Sequence, residues 1–236
     1  NTAIGYTALT AATTSATGNT AIGYNSMGGA IGGEDVDNCV AIGIDALSGA
    51  LDSSNGVDEA SGTVAIGKSA LAALVDGAGN TAIGYQAGLG NAVGKYNTVV
   101  GYNAFITSNH IASDGSVAIG YDALRVKAPS SGSLYDDSST AVGFQAGAVE
   151  STGGQNTLIG FKAGTALTTV SKCTIVGNGA GAGIMVGDGT TDETTADGTV
   201  AIGYAALAAN VSGVGNTAVG YQSLLVEDDG DFNTAI

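Results

Sequence analysis

The pentad Asn-Thr-Ala-Ile-Gly at residues 1–5 recurs in twelve complete copies, and this self-similarity constrains the fold more than any other feature. Copies begin at residues 1, 19, 39, 63, 80, 97, 116, 139, 156, 173, 199 and 216, and a thirteenth starts at 233. Successive starts differ by 18, 20, 24, 17, 17, 19, 23, 17, 17, 26, 17 and 17 residues, so 17 is the basic coil and the longer ones carry insertions. Helical repeats run from about 33 residues upward, which leaves short coils of parallel β-structure. Residues 1–236 read as one repeat array.

The register within a copy is strict. Position two is Thr or Val throughout, and position four is Ile or Val: Ile4, Ile22, Ile42, Ile66, Ile83, Val100, Ile119, Val142, Ile159, Val176, Ile202 and Val219. Position five is always glycine: Gly5, Gly23, Gly43, Gly67, Gly84, Gly101, Gly120, Gly143, Gly160, Gly177, Gly203 and Gly220. Position six is Tyr or Phe in nine of the twelve copies, and position eight is always Ala or Ser. From position ten onward the copies share little, and all insertions fall there.

Thr2, Ile4 and Tyr6 alternate with Ala3 and Gly5, the two-residue period of a strand about six residues long. Such a strand cannot bury a face alone. Stacked coils would place Ile4 on Ile22 on Ile42 in a continuous ladder, each buried Ile worth roughly 1.5–3 kcal/mol. The bulky face is assigned to the coil interior, with the position-four residues as structural core, and the small face to contacts between chains. The alternation itself does not say which face does which. The position-five glycines are expected where another backbone approaches closely, rather than only at a corner of positive φ, because Ala3 and Ala8 are also small. At about 4.8 Å per coil, twelve coils make a shaft roughly 55–60 Å long.

Composition removes several function classes. Glycine contributes 40 of 236 residues, but proline contributes one and no triplet period exists, so collagen is excluded. Six basic residues against 21 acidic ones give a net charge of −15, and the six (Lys68, Lys95, Arg125, Lys127, Lys162 and Lys172) are scattered. Phosphate backbones are gripped by clustered Lys and Arg, so nucleic acid is not an expected partner, nor is an anionic membrane surface. No apolar run approaches the ~20 residues that span a bilayer.

No catalytic or cofactor site is expected. His110 is the one histidine, placed in a variable stretch and read as exposed, so neither a zinc cluster nor an activated serine is available. Cys39 and Cys173 both occupy position one, where Asn is commonest, and are read as small buried replacements for it. Seven coils, or roughly 33 Å, separate them, whereas a disulfide needs Cα atoms within ~7 Å. Acidic residues gather in the inserts (Glu34, Asp35 and Asp37; Asp58 and Glu59; Asp136 and Asp137; Glu227, Asp228, Asp229 and Asp231) and read as solvated charge. Asp188, Asp192, Glu193 and Asp197 are the candidate Ca²⁺ ligands, although no EF-hand or nonapeptide calcium spacing is present. The glycines of Gly177–Gly181 lack the Lys-Ser/Thr ending of a phosphate loop and read as repeat glycine.

The NTAIGYxAL-type repeat, as in Asn80-Thr81-Ala82-Ile83-Gly84-Tyr85-Gln86-Ala87-Gly88, resembles repeats of phage tail-fibre-like proteins, notably of marine phages and Bacteroidetes. Those repeats often precede a self-cleaving intramolecular chaperone domain, which this sequence does not contain. The Ser116-Val117-Ala118-Ile119-Gly120 core is also similar to the head repeats of trimeric autotransporter adhesins. Adhesin head repeats are shorter and lack the aromatic at position six, so the tail-fibre kinship ranks higher. The resemblance covers essentially the whole chain. It implies a left-handed parallel β-roll in a homotrimer about a fibre axis, at a virion surface or outside a cell, with a host receptor as possible partner. The array begins and ends on repeat positions without a capping element, which reads as an internal slice of a longer fibre. The longest inserts, Gly49–Gly62, Arg125–Ser138 and Gly181–Gly198, are the expected receptor-contacting loops. A bacterial surface adhesin or extracellular filament is the alternative. A hexapeptide-repeat acyltransferase needs three aliphatic positions per coil and a catalytic histidine. An ice-binding surface needs a flat Thr ladder, and position two is Thr in nine of thirteen copies; burial of that face is the preferred explanation.

Overall fold

A computed structural model of the chain describes residues 1–10, 16–29, 31–32, 36–52, 60–108, 114–127, 138–150, 153–183, 196–209, 212–227 and 229–236. It is all-β, a parallel β-solenoid, with no helix among the described residues. The chain forms two compact units, Asn1–Ser116 and Val117–Ile236. Both are built from the same coil.

In the first unit the strands are Thr2–Ile4, Thr20–Ile22, Val40–Ile42, Val64–Ile66, Thr81–Ile83 and Thr98–Val100. Each runs parallel to the next, with positions two, three and four facing their counterparts without a slip, as in Thr2↔Thr20, Ala3↔Ala21 and Ile4↔Ile22. A second short parallel pair, Ile31–Gly32 with Leu51–Asp52, lies in the same unit. The second unit repeats the pattern over Val117–Ile119, Thr140–Val142, Thr157–Ile159, Thr174–Val176, Val200–Ile202, Thr217–Val219 and Thr234–Ala235. The expected coil-on-coil register is present in both units.

The strand is three residues long rather than six, and the reason lies just after it. Position five has φ between +130° and +142° in every complete copy. Positions seven and nine are then left-handed as well, for example Asn25 (φ 51) and Met27 (φ 49), or Asp122 (φ 53) and Leu124 (φ 45). The chain turns at once, yet the ladder continues: the Gly23 N–H donates to Ile4 O at 2.8 Å, and Asn25 N–H donates to Tyr6 O at 2.9 Å. Turn and strand alike are hydrogen-bonded from coil to coil. A close approach at position five is present too, since a Cβ built on Gly5 would lie 2.3 Å from Gly23 O. Positive φ and backbone proximity therefore both demand glycine.

The structure reverses the assignment of the two faces. Ala21, Ala41, Ala65, Ala82, Ala118, Ala141, Ala201 and Ala218 at position three are fully buried, whereas Ala3 in the first copy is exposed and Ala235 in the last is half-buried. By contrast Ile83, Ile119, Ile159 and Ile202 remain 36–40% exposed, although Ile83, Ile159 and Ile202 each stand between two other position-four residues. Ile4, Ile22, Ile42, Ile66, Val100, Val142, Val176 and Val219 sit on the same outward side, exposed or half-buried. The position-four ladder exists, but it is not the interior of the coil. The interior is narrow: it takes alanine at position three, Ala or Ser at position eight, and one large side chain at position nine.

That large side chain is Met27, Leu47, Leu71, Phe105, Leu124 or Leu207, all buried. Where position nine is glycine, a leucine from elsewhere occupies the space. A Cβ on Gly164 would meet Leu167 at 2.7 Å and Leu158 at 2.9 Å; one on Gly88 would meet Leu71 at 2.8 Å. Leu158 and Ile175 take position three in the coils whose position nine is Gly164 or Gly181, so volume is traded across the interior.

Candidate interaction face

The outward side of the strands carries the most regular chemistry in the molecule. Thr or Val at position two and Ile or Val at position four form two adjoining columns with no charged member in any copy. Beside them, the position-six rings stack. Tyr6 lies on Tyr24 with centroids 5.6 Å apart, Tyr85 on Tyr102 at 4.8 Å, Tyr121 on Phe144 and Phe144 on Phe161 at 5.1 Å, and Tyr204 on Tyr221 at 5.3 Å. Interplanar angles of 9–18° mean that the rings face one another along the stack and turn their edges to the outside. Lys162 Nζ lies 5.5 Å from the Phe161 ring centre, the one cation–π contact among the described residues.

The corner before each strand is polar, buried and equally regular. Asn at position one accepts, through its side-chain oxygen, the backbone N–H of position one in the next coil: Asn1 from Asn19, Asn19 from Cys39, Asn80 from Asn97, Asn97 from Ser116, Asn156 from Cys173 and Asn216 from Asn233, all at 2.8–2.9 Å. The amide nitrogen donates sideways, Asn19 to Val36 O at 2.6 Å and Asn156 to Val170 O at 2.8 Å. This asparagine ladder was carried by the commonest residue at position one, but its role needs the coil-to-coil geometry. Cys39 and Cys173 stand in it as free, buried thiols, as expected, donating to Ala60 O and Ala196 O. Desolvation pushes the Cys39 thiol up from 9.0 to about 11 and Cys173 to about 12.

Two residues before position one, a second ladder explains several acidic residues. Asp37 accepts from the Thr17 N–H, Asp114 from Lys95, Asp197 from Ser171 and Asp231 from Val214, at 2.5–2.9 Å. Asp197, a candidate calcium ligand, thus has a backbone N–H on one carboxylate oxygen. Asp188, Asp192 and Glu193 lie outside the described residues, as do His110 and most of the three long inserts. Among the described residues no group of three or more His, Cys, Asp or Glu is placed to hold a metal ion. Gly177, Gly179 and Gly181 are positions five, seven and nine of their coil, with φ of 142°, 65° and 52°.

No protein-family model matches the chain, and no curated protein or solved structure matches it either.

Proposed function

We propose that this chain is a structural segment of a virion or extracellular fibre, non-enzymatic, assembled as a homotrimer through its outward Ile/Val and aromatic columns. The observation that carries the reading is the uncharged, half-exposed ladder at position four. Its members recur at one coil spacing, about 4.8 Å, and a second copy of the same chain presents a ladder of identical pitch. Burial of that ladder between chains supplies hydrophobic stabilisation that the narrow interior does not. Three chains carry 3 × −15 = −45 charges, which resists nonspecific adhesion and leaves recognition to the inserts. A left-handed winding, continuation into adjoining fibre segments and contact with a host receptor belong to the same proposal.

Sedimentation equilibrium of the full chain tests it. A trimer is expected, and Ile83→Lys together with Ile159→Lys should yield monomer with an unchanged β spectrum. A wild-type monomer at high micromolar concentration rejects the assembly. Ice binding is the second reading, because position two is half-exposed beside position four rather than buried. Unaltered ice-crystal growth in the presence of the protein discards it.

A further inference from the structure

Lys127 and Glu150 form a fully enclosed pair, with both side chains at 0% exposure and Nζ 2.5 Å from Glu150 Oε1. Lys127 Nζ also donates to Gly153 O, and Ser139 Oγ donates to the same Oε1 at 2.7 Å. Glu150 Oε2 is buried without a hydrogen-bond partner among the described residues. A Cβ on Gly147 would lie 3.5 Å from Oε2, 2.7 Å from Leu158 and 2.9 Å from Leu124, so leucines line the same part of the coil interior. One carboxylate oxygen thus collects two donors while the other has none. An enclosed ion pair with one unsatisfied oxygen is an unfavourable end state, since desolvation of both charges is incompletely offset.

We propose that Lys127 and Glu150 are a covalent modification site, closing to a side-chain amide between Nζ and Cδ. The reacting forms are the neutral amine and the neutral acid, reached when one proton passes from Nζ to the carboxylate within the pair. Gly153 O holds one amine hydrogen, which orients the nitrogen toward the carboxyl. The Nζ lone pair attacks Cδ, and a C–N bond forms. The Cδ–Oε1 bond breaks, and Oε1 departs as water carrying two protons that came from the ammonium group; Ser139 Oγ, already bonded to Oε1, is placed to relay one. Ammonium plus carboxylate becomes amide plus water, with no oxidant or co-reactant. Oε2 becomes the amide oxygen, so the orphaned atom no longer carries charge. The bond ties residues 23 apart in sequence, across adjacent coils of the second unit.

Intact-mass measurement of the purified full chain, with proteolytic mapping, tests the proposal. The expected chain is lighter than its sequence mass by one water, and a branched peptide joins the segments around Lys127 and Glu150. Lys127→Arg and Glu150→Ala should each restore the full mass and abolish the branched peptide. Should either variant fail to fold, the wild-type map alone decides. Full mass with separate, unmodified peptides overturns the proposal. A one-water deficit mapped elsewhere, as from an aspartyl succinimide, overturns it equally.

Discussion

The inward and outward sides of the strands are equally regular in sequence, but their regularity has different physical origins. Inside, Ala65 and Ala118 are small because the opposite wall is close, and Leu71 or Leu124 at position nine fills what remains. Outside, Ile83 and Ile159 pack on the position-four residues above and below and stay partly exposed. Regularity there comes from each residue packing on copies of itself. Strict recurrence therefore signals stacking, and size alone does not signal burial.

Four sets of changes probe that contrast, from the largest effect downward. Gly143→Val should lower stability by about 3–5 kcal/mol, since φ is +139° and a Cβ would lie 2.3 Å from Gly160 O. Gly179→Val is also at positive φ (+65°), but its Cβ would have nothing within 4 Å, so its loss should stay at ~1–2 kcal/mol. Equal denaturant midpoints for the two would remove close approach from the account.

Leu71→Ala, inside, should lose about 2–4 kcal/mol. Ile83→Ala, outside, should lose under about 1 kcal/mol in dilute protein, where any assembly has dissociated. Thermal melts across a concentration series separate the two, because only the outer variant should show an effect that grows with concentration.

Asn156→Ala strips the Cys173 N–H and Val170 O of their partner and should cost about 1–3 kcal/mol. Asn156→Asp retains the acceptor but loses the donor, so it should fall between; equality with wild type would mean that Val170 O is satisfied in another way.

The smallest effect is alkaline. Both thiols have pKa values raised by the fold, so the unfolded chain releases these protons first as pH rises. Their contribution is complete below 9.0 and is lost as pH climbs toward about 11 for Cys39 and about 12 for Cys173. Cys173→Ser should flatten the upper part of that decline in pH-dependent melts.

Much of the fold was legible in the repeats. Period, register and parallel stacking follow from Thr2, Ala3, Ile4 and Gly5 recurring without a slip. The orientation of the faces was not, because alternation has two solutions and the larger side chains looked like core. Position nine escaped notice because it alternates between Leu71, Gly88 and Phe105, and only the stacked geometry shows one volume being shared. The left-handed turns escaped it because Gln86, Lys162 and Leu207 have no compositional reason to adopt positive φ. Lys127 and Glu150 are 23 residues apart in variable sequence, and nothing short of the coil wrap brings them together.

The asparagine and aspartate ladders hold the chain where it rejoins the frame at Cys39, Ser116 and Thr199, after spacings of 20, 19 and 26 residues. Spacings from 17 to 26 residues are absorbed on this basis without disturbing neighbouring strands. Surface segments can be exchanged, lengthened or deleted while the scaffold is inherited intact, which is the arrangement a molecule needs when its exterior must change faster than its skeleton.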